Sequence, residues 1–187
     1  MKKILFVNAC VRKESRTRIL AEHVLKKLEG TVEEVNLEQE NIKPLNAETL
    51  EKRNIWVDQK DFSAPLFKYA KQFAEADEIV IAAPYWDLGF PSTVRIYLEA
   101  ITVTGLVFKY TPEGTAEGLC KAKHITYVTT AGGPIMNYNL GYDYVKALAD
   151  IFYGIPETRC YAAENLDIMG ADVNQIMEAT IKEIDNA

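Results

Sequence analysis

The stretch ILFVNACVRKESRTRIL, residues 4–20, contains a strand pattern, a polar loop and the beginning of a helix in direct succession. The apolar run ILFV ends abruptly at Asn8. The loop after it carries the basic or hydroxyl side chains of Arg12, Lys13, Ser15, Arg16, Thr17 and Arg18. Many α/β proteins hold a phosphate at this chain position, and their loops are usually rich in glycine. This loop has no glycine, so the stretch predicts an α/β protein and leaves open which anion it binds.

Strand and helix patterns alternate along the rest of the chain. Five β-rich apolar runs predict strands at 4–8, 31–37, 78–84, 124–130 and 157–166. The first, third and fourth runs are almost wholly apolar in their centres, which is typical of parallel strands covered by helices on both faces. Amphipathic patterns predict helices at 15–29, 62–76, 91–102, 139–153 and 172–184.

This alternation predicts an α/β fold with right-handed crossovers. Five strands favour a doubly wound, flavodoxin-like parallel sheet of order 2-1-3-4-5 with helices on both faces, in which a ligand lies outside the carboxyl ends of strands 1 and 3. Two segments are additional to the simple alternation of strands and helices. They are a long excursion at 36–61 and a glycine-containing, hairpin-like insertion at 104–123. No repeat or linker interrupts the chain, so we expect one domain over residues 1–187.

Composition limits the classes of partner. Lys and Arg number 21 against 27 Asp and Glu, for a formal net charge of −6, which disfavours nucleic acid or an anionic membrane as a partner. Three cysteines without a C-x-x-C pattern argue against disulfides and zinc sites. The start MKKILFV is too short for a signal peptide, and no apolar run approaches about 18 residues. We therefore expect a cytoplasmic protein without a membrane span.

Three loops are expected to meet at the carboxyl edge of the sheet. The first, ACVRKESRT, offers hydroxyl and guanidinium groups at a helix N-terminus, which suit a terminal monophosphate. Neither a Walker A sequence nor a G-x-G-x-x-G fingerprint is present. The alternative is that Ser15 is a simple N-cap and the basic side chains are a solvated surface.

The second and third loops are also unusual for connections. PYWDLGFPS places Tyr85, Trp86, Leu88 and Phe90 together, either as a small aromatic core or as a wall for a flat aromatic ligand. TTAGGPIMNYN has adjacent glycines after a buried strand, which form either a turn or a nest of N–H groups for an anionic edge. The occurrence of all three loops at one edge favours a ligand that has both a phosphate and an aromatic ring.

These residues resemble the flavodoxin-like NAD(P)H-dependent FMN oxidoreductases, which include bacterial azoreductases, quinone reductases and FMN reductases. The resemblance spans nearly the whole chain. It depends on S-x-T at 15–17, APYWDLGFPSTVRIYLEA at 83–100, FKYTPEGTAEGL at 108–119 and TAGG at 130–133. The second segment is the most specific, because it is similar to the family's Pro-x-Tyr-Asn-Phe loop.

The resemblance implies a set of FMN contacts. Ser15, Arg16 and Thr17 would hold the FMN phosphate, with Arg12 as a further contact. Along the isoalloxazine would lie Pro84, Tyr85, Trp86, Asp87 and Leu88, and its pyrimidine end would face Thr130, Ala131, Gly132 and Gly133. The family is typically homodimeric, and its substrates approach the flavin near the subunit interface.

Three positions depart from the family pattern. The family often has a hydroxyl residue where this chain has Ala9, so Asn8, Cys10 or Arg12 would have to compensate. Asp87 stands where Asn is common, and its carboxylate either lies near the flavin or caps the following helix. Ala131 replaces a residue that is bulkier in some members. The sequence therefore does not indicate which group covers that edge of the flavin.

The implied activity is hydride transfer from NADH or NADPH through bound FMN to a quinone, an azo compound or a free flavin, by a ping-pong mechanism in one pocket. The N–H groups of Gly132 and Gly133 would stabilise the reduced flavin anion, and we nominate no catalytic nucleophile or base. Isolated His23 and His124 lack metal-ligand spacing, and Tyr138 and Tyr142 are expected to pack. A flavodoxin-type FMN electron carrier and a flavin-free regulatory or interaction domain are the alternatives.

Overall fold

A computed structural model describes residues Met1–Ala187. Its centre is a parallel sheet of order β2-β1-β3-β6-β7, which confirms the predicted order once the two strands of an inserted hairpin are set aside. The sheet strands are β1 (Lys3–Asn8), β2 (Thr31–Asn36), β3 (Glu78–Ala82), β6 (His124–Thr130) and β7 (Glu157–Ala163). Their carboxyl ends therefore lie along one edge, where the predicted loops follow β1, β3 and β6.

Six α-helices surround the sheet. They are α1 (Arg16–Lys27), α2 (Ala47–Asp58), α3 (Lys68–Glu75), α4 (Ser92–Ile101), α5 (Leu140–Leu148) and α6 (Val173–Asn186). None of them combines the length and the hydrophobicity that crossing a membrane requires.

Each face of the sheet has its own apolar core, as expected for strands buried on both sides. Leu5 and Val7 of β1 pack into the core with α3, α4 and α5, whereas Phe6 between them packs into the core with α1 and α6. The alternation follows from the two-residue period of a strand. Helices on both faces of the sheet are therefore confirmed.

The first helix begins where the sequence predicts. Ser15 is its N-cap, and the Arg18 N–H donates to Ser15 Oγ at 3.3 Å. At its other end, the Lys27 ammonium donates to the Ile184 and Asp185 carbonyls at 2.6 and 2.9 Å. These bonds satisfy orphan carbonyls at the end of α6, so α1 and α6 are held together on one face.

Several elements differ from the sequence prediction. The excursion at 36–61 contains α2, which begins at Ala47 behind a capping box formed by Asn46 and Thr49. The helix expected from residue 62 begins as a 3-10 turn at Pro65–Phe67 and becomes α-helical at Lys68. The helix expected to end at residue 153 is α-helical to Leu148 and finishes as a π-helical turn, Ala149–Tyr153.

The insertion at 104–123 forms the predicted hairpin. Its antiparallel strands are β4 (Phe108–Tyr110) and β5 (Ala116–Gly118). The base of the hairpin packs tightly on the end of the π-helical turn, since a Cβ on Gly118 would lie 2.1 Å from the Gly154 nitrogen. Gly154 itself has a φ of +66°, a conformation that favours glycine. The hairpin is therefore fixed to the body of the protein at its base.

Candidate functional site: a cleft at the carboxyl edge of the sheet

A cleft of about 300 Å³ lies at the carboxyl ends of β1, β3 and β6. The predicted loops meet there, as expected for a switch point in a doubly wound sheet. Most of the predicted cofactor-contacting residues line this cleft: Arg12, Ser15, Arg16, Thr17, Pro84, Tyr85, Trp86, Thr130, Ala131 and Gly132. Asp87, Leu88 and Gly133 lie on the same loops but do not line it.

The first loop forms a cradle of backbone N–H groups. From Val11 to Thr17, no backbone N–H has a hydrogen-bond acceptor within the protein. The last of these groups belong to the first turn of α1, where the helix dipole favours negative charge. Arg12 is exposed and makes no ion pair. The loop can therefore bind an anion by its backbone without the glycines of a polyphosphate loop.

Residues just before this cradle hold it in shape. Asn8 is fully buried, and its Oδ1 accepts a hydrogen bond of 2.9 Å from the Cys10 N–H while its Nδ2 donates to Glu34 at 2.8 Å. Cys10 reaches the cleft, and burial raises the pKa of its thiol. Of the residues that could compensate for Ala9, Cys10 and Arg12 thus line the cleft, whereas Asn8 supports the loop from below.

The cradle is tied to the end of β6 by a pair of hydroxyls. Thr17 Oγ1 and Thr130 Oγ1 lie 2.6 Å apart and share a hydrogen bond. Thr17 is only 1% exposed, so its hydroxyl depends on this partner. The bond fixes the first turn of α1 against the third loop.

The segment after β7 also reaches the cleft, which the sequence did not predict. Arg16 Nη1 donates to Asp167 Oδ1 at 3.0 Å and to the Leu166 carbonyl at 3.5 Å. Leu166 and Asp167 both line the cleft. No local sequence signal marks them, because only the position of β7 beside β6 brings them to the first loop.

The third loop presents donors and keeps its acceptors occupied. The carbonyls of Ala131, Gly132 and Gly133 accept hydrogen bonds of 2.9 to 3.2 Å from the N–H groups of residues 165–167. The N–H groups of Gly132 and Gly133 have no acceptor within the protein. Two successive N–H groups without acceptors can donate to an anionic edge of a ligand.

The second loop contains a strained turn. Trp86 and Gly89 exchange backbone hydrogen bonds of 3.2 and 2.8 Å, and the two residues between them, Asp87 and Leu88, have φ values of 49° and 68°. Positive φ at both central positions is the pattern of a type I′ turn, which usually requires Asn or Gly. The turn is held from outside, since the Leu88 carbonyl accepts from the Leu140 N–H at 3.0 Å.

Asp87 does not cap the following helix. The N-terminus of α4 has no side-chain cap, and Asp87 makes no hydrogen bond or ion pair. Its side chain instead lines a second groove of about 490 Å³ that shares Trp86 with the cleft. Across this groove, the Arg95 guanidinium lies 4.7 Å from the centre of the Tyr144 ring and donates to Glu99 at 2.8 Å.

The second and third loops also contact each other at the mouth of the cleft. The Tyr85 N–H donates to the Thr130 carbonyl at 3.0 Å, and the Tyr85 hydroxyl donates to the Tyr138 carbonyl at 2.8 Å. The side chain of Tyr138 is exposed, whereas the Tyr142 hydroxyl lies near Thr158 on β7. Tyr85 and Trp86 thus border the cleft, whereas Phe90 and Tyr142 pack against the apolar core.

The remaining titratable candidates lie elsewhere. His124 is placed at the opposite edge of the sheet, between Glu78 and Glu157, each at 3.2 Å. His23 lies 3.5 Å from Asp185 on α6. No group of His, Cys, Asp and Glu has the arrangement of a metal site. The chemistry of the cleft is therefore that of donors for an anion beside an aromatic wall.

The profile of the protein family described as Flavodoxin-like fold matches residues 2–187. The chain belongs to that family. This flavodoxin-like chain is 39% identical over 192 residues to an FMN-dependent NADH:quinone oxidoreductase of Lachnoclostridium phytofermentans, covering 98% of this chain and 94% of that protein. It is 33% identical over 192 residues to an FMN-dependent NADH:quinone oxidoreductase of Clostridium perfringens, covering 98% and 96%.

Solved structures share the architecture of the flavodoxin-like chain. An azoreductase from Bacillus anthracis superposes with a TM-score of 0.83 at 24% identity, covering 100% of this chain and 98% of that chain. An FMN-dependent NADH-azoreductase from the same species, in complex with FMN, gives 0.81 at 21% identity, covering 100% and 97%. At these identities the likeness shows the fold. Together with the relatives, it confirms the resemblance to flavodoxin-like FMN oxidoreductases.

Proposed function

We propose that this chain is a single FMN-binding domain over residues 1–187 that catalyses hydride transfer from NADH, through FMN, to a quinone or azo acceptor. The names of its relatives support the activity. The observation that carries the proposal is the row of backbone N–H groups from Val11 to Thr17 without acceptors, which opens onto the same cleft as Trp86 and Gly132. Such a cleft suits a ligand with a phosphate at one end and a flat ring at the other.

The phosphate end of FMN fits the first loop. Free N–H groups, the N-terminus of α1 and the Ser15 hydroxyl supply neutral donors, and Arg12 supplies an unpaired positive charge. Arg16 and Thr17 lie beside them, although their side chains already have partners in Asp167 and Thr130. We therefore assign the phosphate contacts to Arg12, Ser15, Arg16 and Thr17, with the backbone N–H groups of the last two at least as important as their side chains.

The ring end of FMN fits the second and third loops. Pro84, Tyr85 and Trp86 form one wall, with Asp87 and Leu88 beyond it at the turn. Thr130, Ala131, Gly132 and Gly133 form the other side, where the free N–H groups of the two glycines suit the polar pyrimidine edge. A Cβ on Gly132 would lie 2.5 Å from Asp167 Oδ2, so a larger residue here would require the Asp167 side chain to move.

When bound, FMN would supply the hydride chemistry. The side chains of this chain would orient the ring, exclude water from one of its faces and leave the other open. The N–H groups of Gly132 and Gly133 would stabilise negative charge at the polar edge of the reduced cofactor. No side chain in the cleft is assigned as a nucleophile or general base.

We further propose that both flat substrates use one site in turn, which gives ping-pong kinetics. The groove that shares Trp86 with the cleft is the candidate path for them, since it is open and bordered by Phe90 and Tyr144. NADPH and free flavins are additional substrates to be tested.

A homodimer and a cytoplasmic location complete the proposal. Large apolar side chains are exposed around the mouth of the cleft: Trp86, Leu88, Met136, Tyr138 and Leu140. A second copy of the chain would cover them and enclose the substrate path. Three free thiols suit a reducing compartment.

The deciding experiment is an anaerobic titration of the purified protein reconstituted with FMN. NADH should bleach the flavin spectrum, and a quinone should restore it. A protein that takes up no FMN would contradict the proposal. Bound FMN that stays oxidised with both nucleotides would instead favour the flavodoxin-type electron carrier.

A further inference from the structure

Asp167 brings a negative charge into the part of the cleft that faces Arg16. Its backbone N–H donates to the Gly132 carbonyl at 2.9 Å, and its Oδ1 accepts from Arg16 Nη1 at 3.0 Å. The other carboxylate oxygen lies against Gly132, at 2.5 Å from the position of a Cβ there. The carboxylate, although its side chain is 68% exposed, is thus placed at the cleft by the backbone bond of Asp167 and by the ion pair with Arg16.

The charges that line the cleft cancel. Two arginines, Arg12 and Arg16, and two carboxylate residues, Glu14 and Asp167, line it. Arg16 is paired with Asp167, whereas Arg12 has no partner. A phosphate in the cradle would therefore meet N–H groups and hydroxyls, but little net positive charge from side chains.

On the basis of the proposed function, we propose that Asp167 limits the affinity for the phosphate of FMN by engaging Arg16. The carboxylate competes with the phosphate for the guanidinium. FMN is then held mainly by backbone dipoles and remains exchangeable. Riboflavin lacks the phosphate. The ratio of the affinities for FMN and riboflavin is therefore smaller than it would be if Arg12 and Arg16 acted without Asp167.

The test measures the affinities of FMN and riboflavin by quenching of flavin fluorescence on titration with apoprotein. Asp167→Asn should bind FMN about fivefold more tightly, as expected for freeing one partly exposed guanidinium beside an anion, and riboflavin within about twofold of the native value. Glu178→Gln on α6 is the matched control, because it removes an exposed carboxylate outside the cleft. It should change neither affinity.

A double-mutant cycle with Arg16 tests the coupling itself. In the native chain, Arg16→Gln should weaken FMN binding by less than about twofold, because the guanidinium is engaged by Asp167 instead of by the phosphate. In the Asp167→Asn background, the same substitution should remove most of the gain.

Three outcomes would overturn the inference while leaving the proposed function intact. Unchanged FMN affinity in Asp167→Asn would show that the carboxylate does not act on the phosphate. Weaker FMN binding would show that Asp167 positions Arg16 on the phosphate. Equal tightening of FMN and riboflavin would show that it acts on the ring. Native protein that binds neither flavin would overturn the proposed function, and this inference with it.

Discussion

Thr17 and Thr130 share a hydrogen bond of 2.6 Å between their hydroxyl oxygens, which joins the first turn of α1 to the carboxyl end of β6. The two ends of this bond differ in their surroundings. Thr17 is fully buried, whereas Thr130 is half-buried and lines the cleft. The hydroxyl of Thr130 can therefore find water, and that of Thr17 cannot.

This difference predicts unequal effects of removing either hydroxyl. Thr130→Val leaves the buried Thr17 hydroxyl without a partner and should lower the free energy of unfolding by about 1–3 kcal/mol. Thr17→Val removes the buried hydroxyl itself and should cost less than about 1 kcal/mol. Urea unfolding of the two variants without cofactor measures the difference. Equal losses would show that Thr130 is not the better-hydrated partner.

Ser15 is expected to act both as a helix cap and as a donor to the cofactor. Ser15→Ala should lower stability by about 1 kcal/mol, as for other N-caps, and should also weaken FMN binding. Asn46→Ala is the matched control, since Asn46 caps α2 in the same way and lies outside the cleft. It should give a similar loss of stability with unchanged FMN affinity. Loss of FMN affinity in both variants would mean that destabilisation alone weakens binding.

The turn at Asp87 and Leu88 should reverse the usual preference for alanine over glycine. Because Leu88 has a φ of 68°, Leu88→Gly should be more stable than Leu88→Ala by about 1 kcal/mol. Leu50 in α2, which is 39% exposed, provides the comparison. There the alanine variant should be the more stable by about 1 kcal/mol. Thermal unfolding of the four variants measures these differences. A more stable alanine variant at both positions would contradict the positive φ of the turn.

Asp77 should contribute to stability in a way that depends on pH. The Lys121 ammonium, 2.6 Å away, and the Lys3 N–H, at 2.8 Å, hold the pKa of this carboxyl below its ordinary value of 3.8. A carboxyl with a lowered pKa stabilises the fold above its unfolded pKa, and this contribution disappears as the pH falls through the folded pKa. Asp77→Asn should therefore be less stable than the native chain near neutral pH, and the gap should close in acid.

Urea midpoints of the native chain and Asp77→Asn between about pH 7 and about pH 2 would measure this gap. A gap that stays constant over the whole range would show that the loss comes from the altered hydrogen bonds and not from titration. Glu178→Gln again serves as control, because Glu178 has no ion-pair partner.

The sequence predicted the sheet order and the meeting of three loops because both follow from strand order and buried-strand composition. The carboxyl ends of parallel strands share an edge of the sheet. The proximity of Ser15, Tyr85 and Gly132 could therefore be predicted from the strand order alone, without any knowledge of side-chain contacts. Pairing of side chains within the cleft could not be predicted in this way. The Arg16–Asp167 ion pair joins residues 151 positions apart and depends on where the segment after β7 crosses the first loop.

Two local features escaped prediction for physical reasons. Helix α2 has no fully buried residue, so its apolar side chains show no strong helical period. The capping box at Asn46 and Thr49 was the available signal. The type I′ turn was hidden because Asp-Leu is unlike the Asn-Gly pair that such turns prefer, and tertiary contacts impose its geometry.

The β4–β5 hairpin offers a convenient attachment point. The base of the hairpin has no room for a side chain at Gly118, because this residue lies directly against Gly154. At the tip, Gly114 has a φ of +83° and open space around it. No residue of the hairpin lines the cleft. A fluorophore or an affinity tag introduced beside Gly114 would therefore label or immobilise the protein without occupying the cleft.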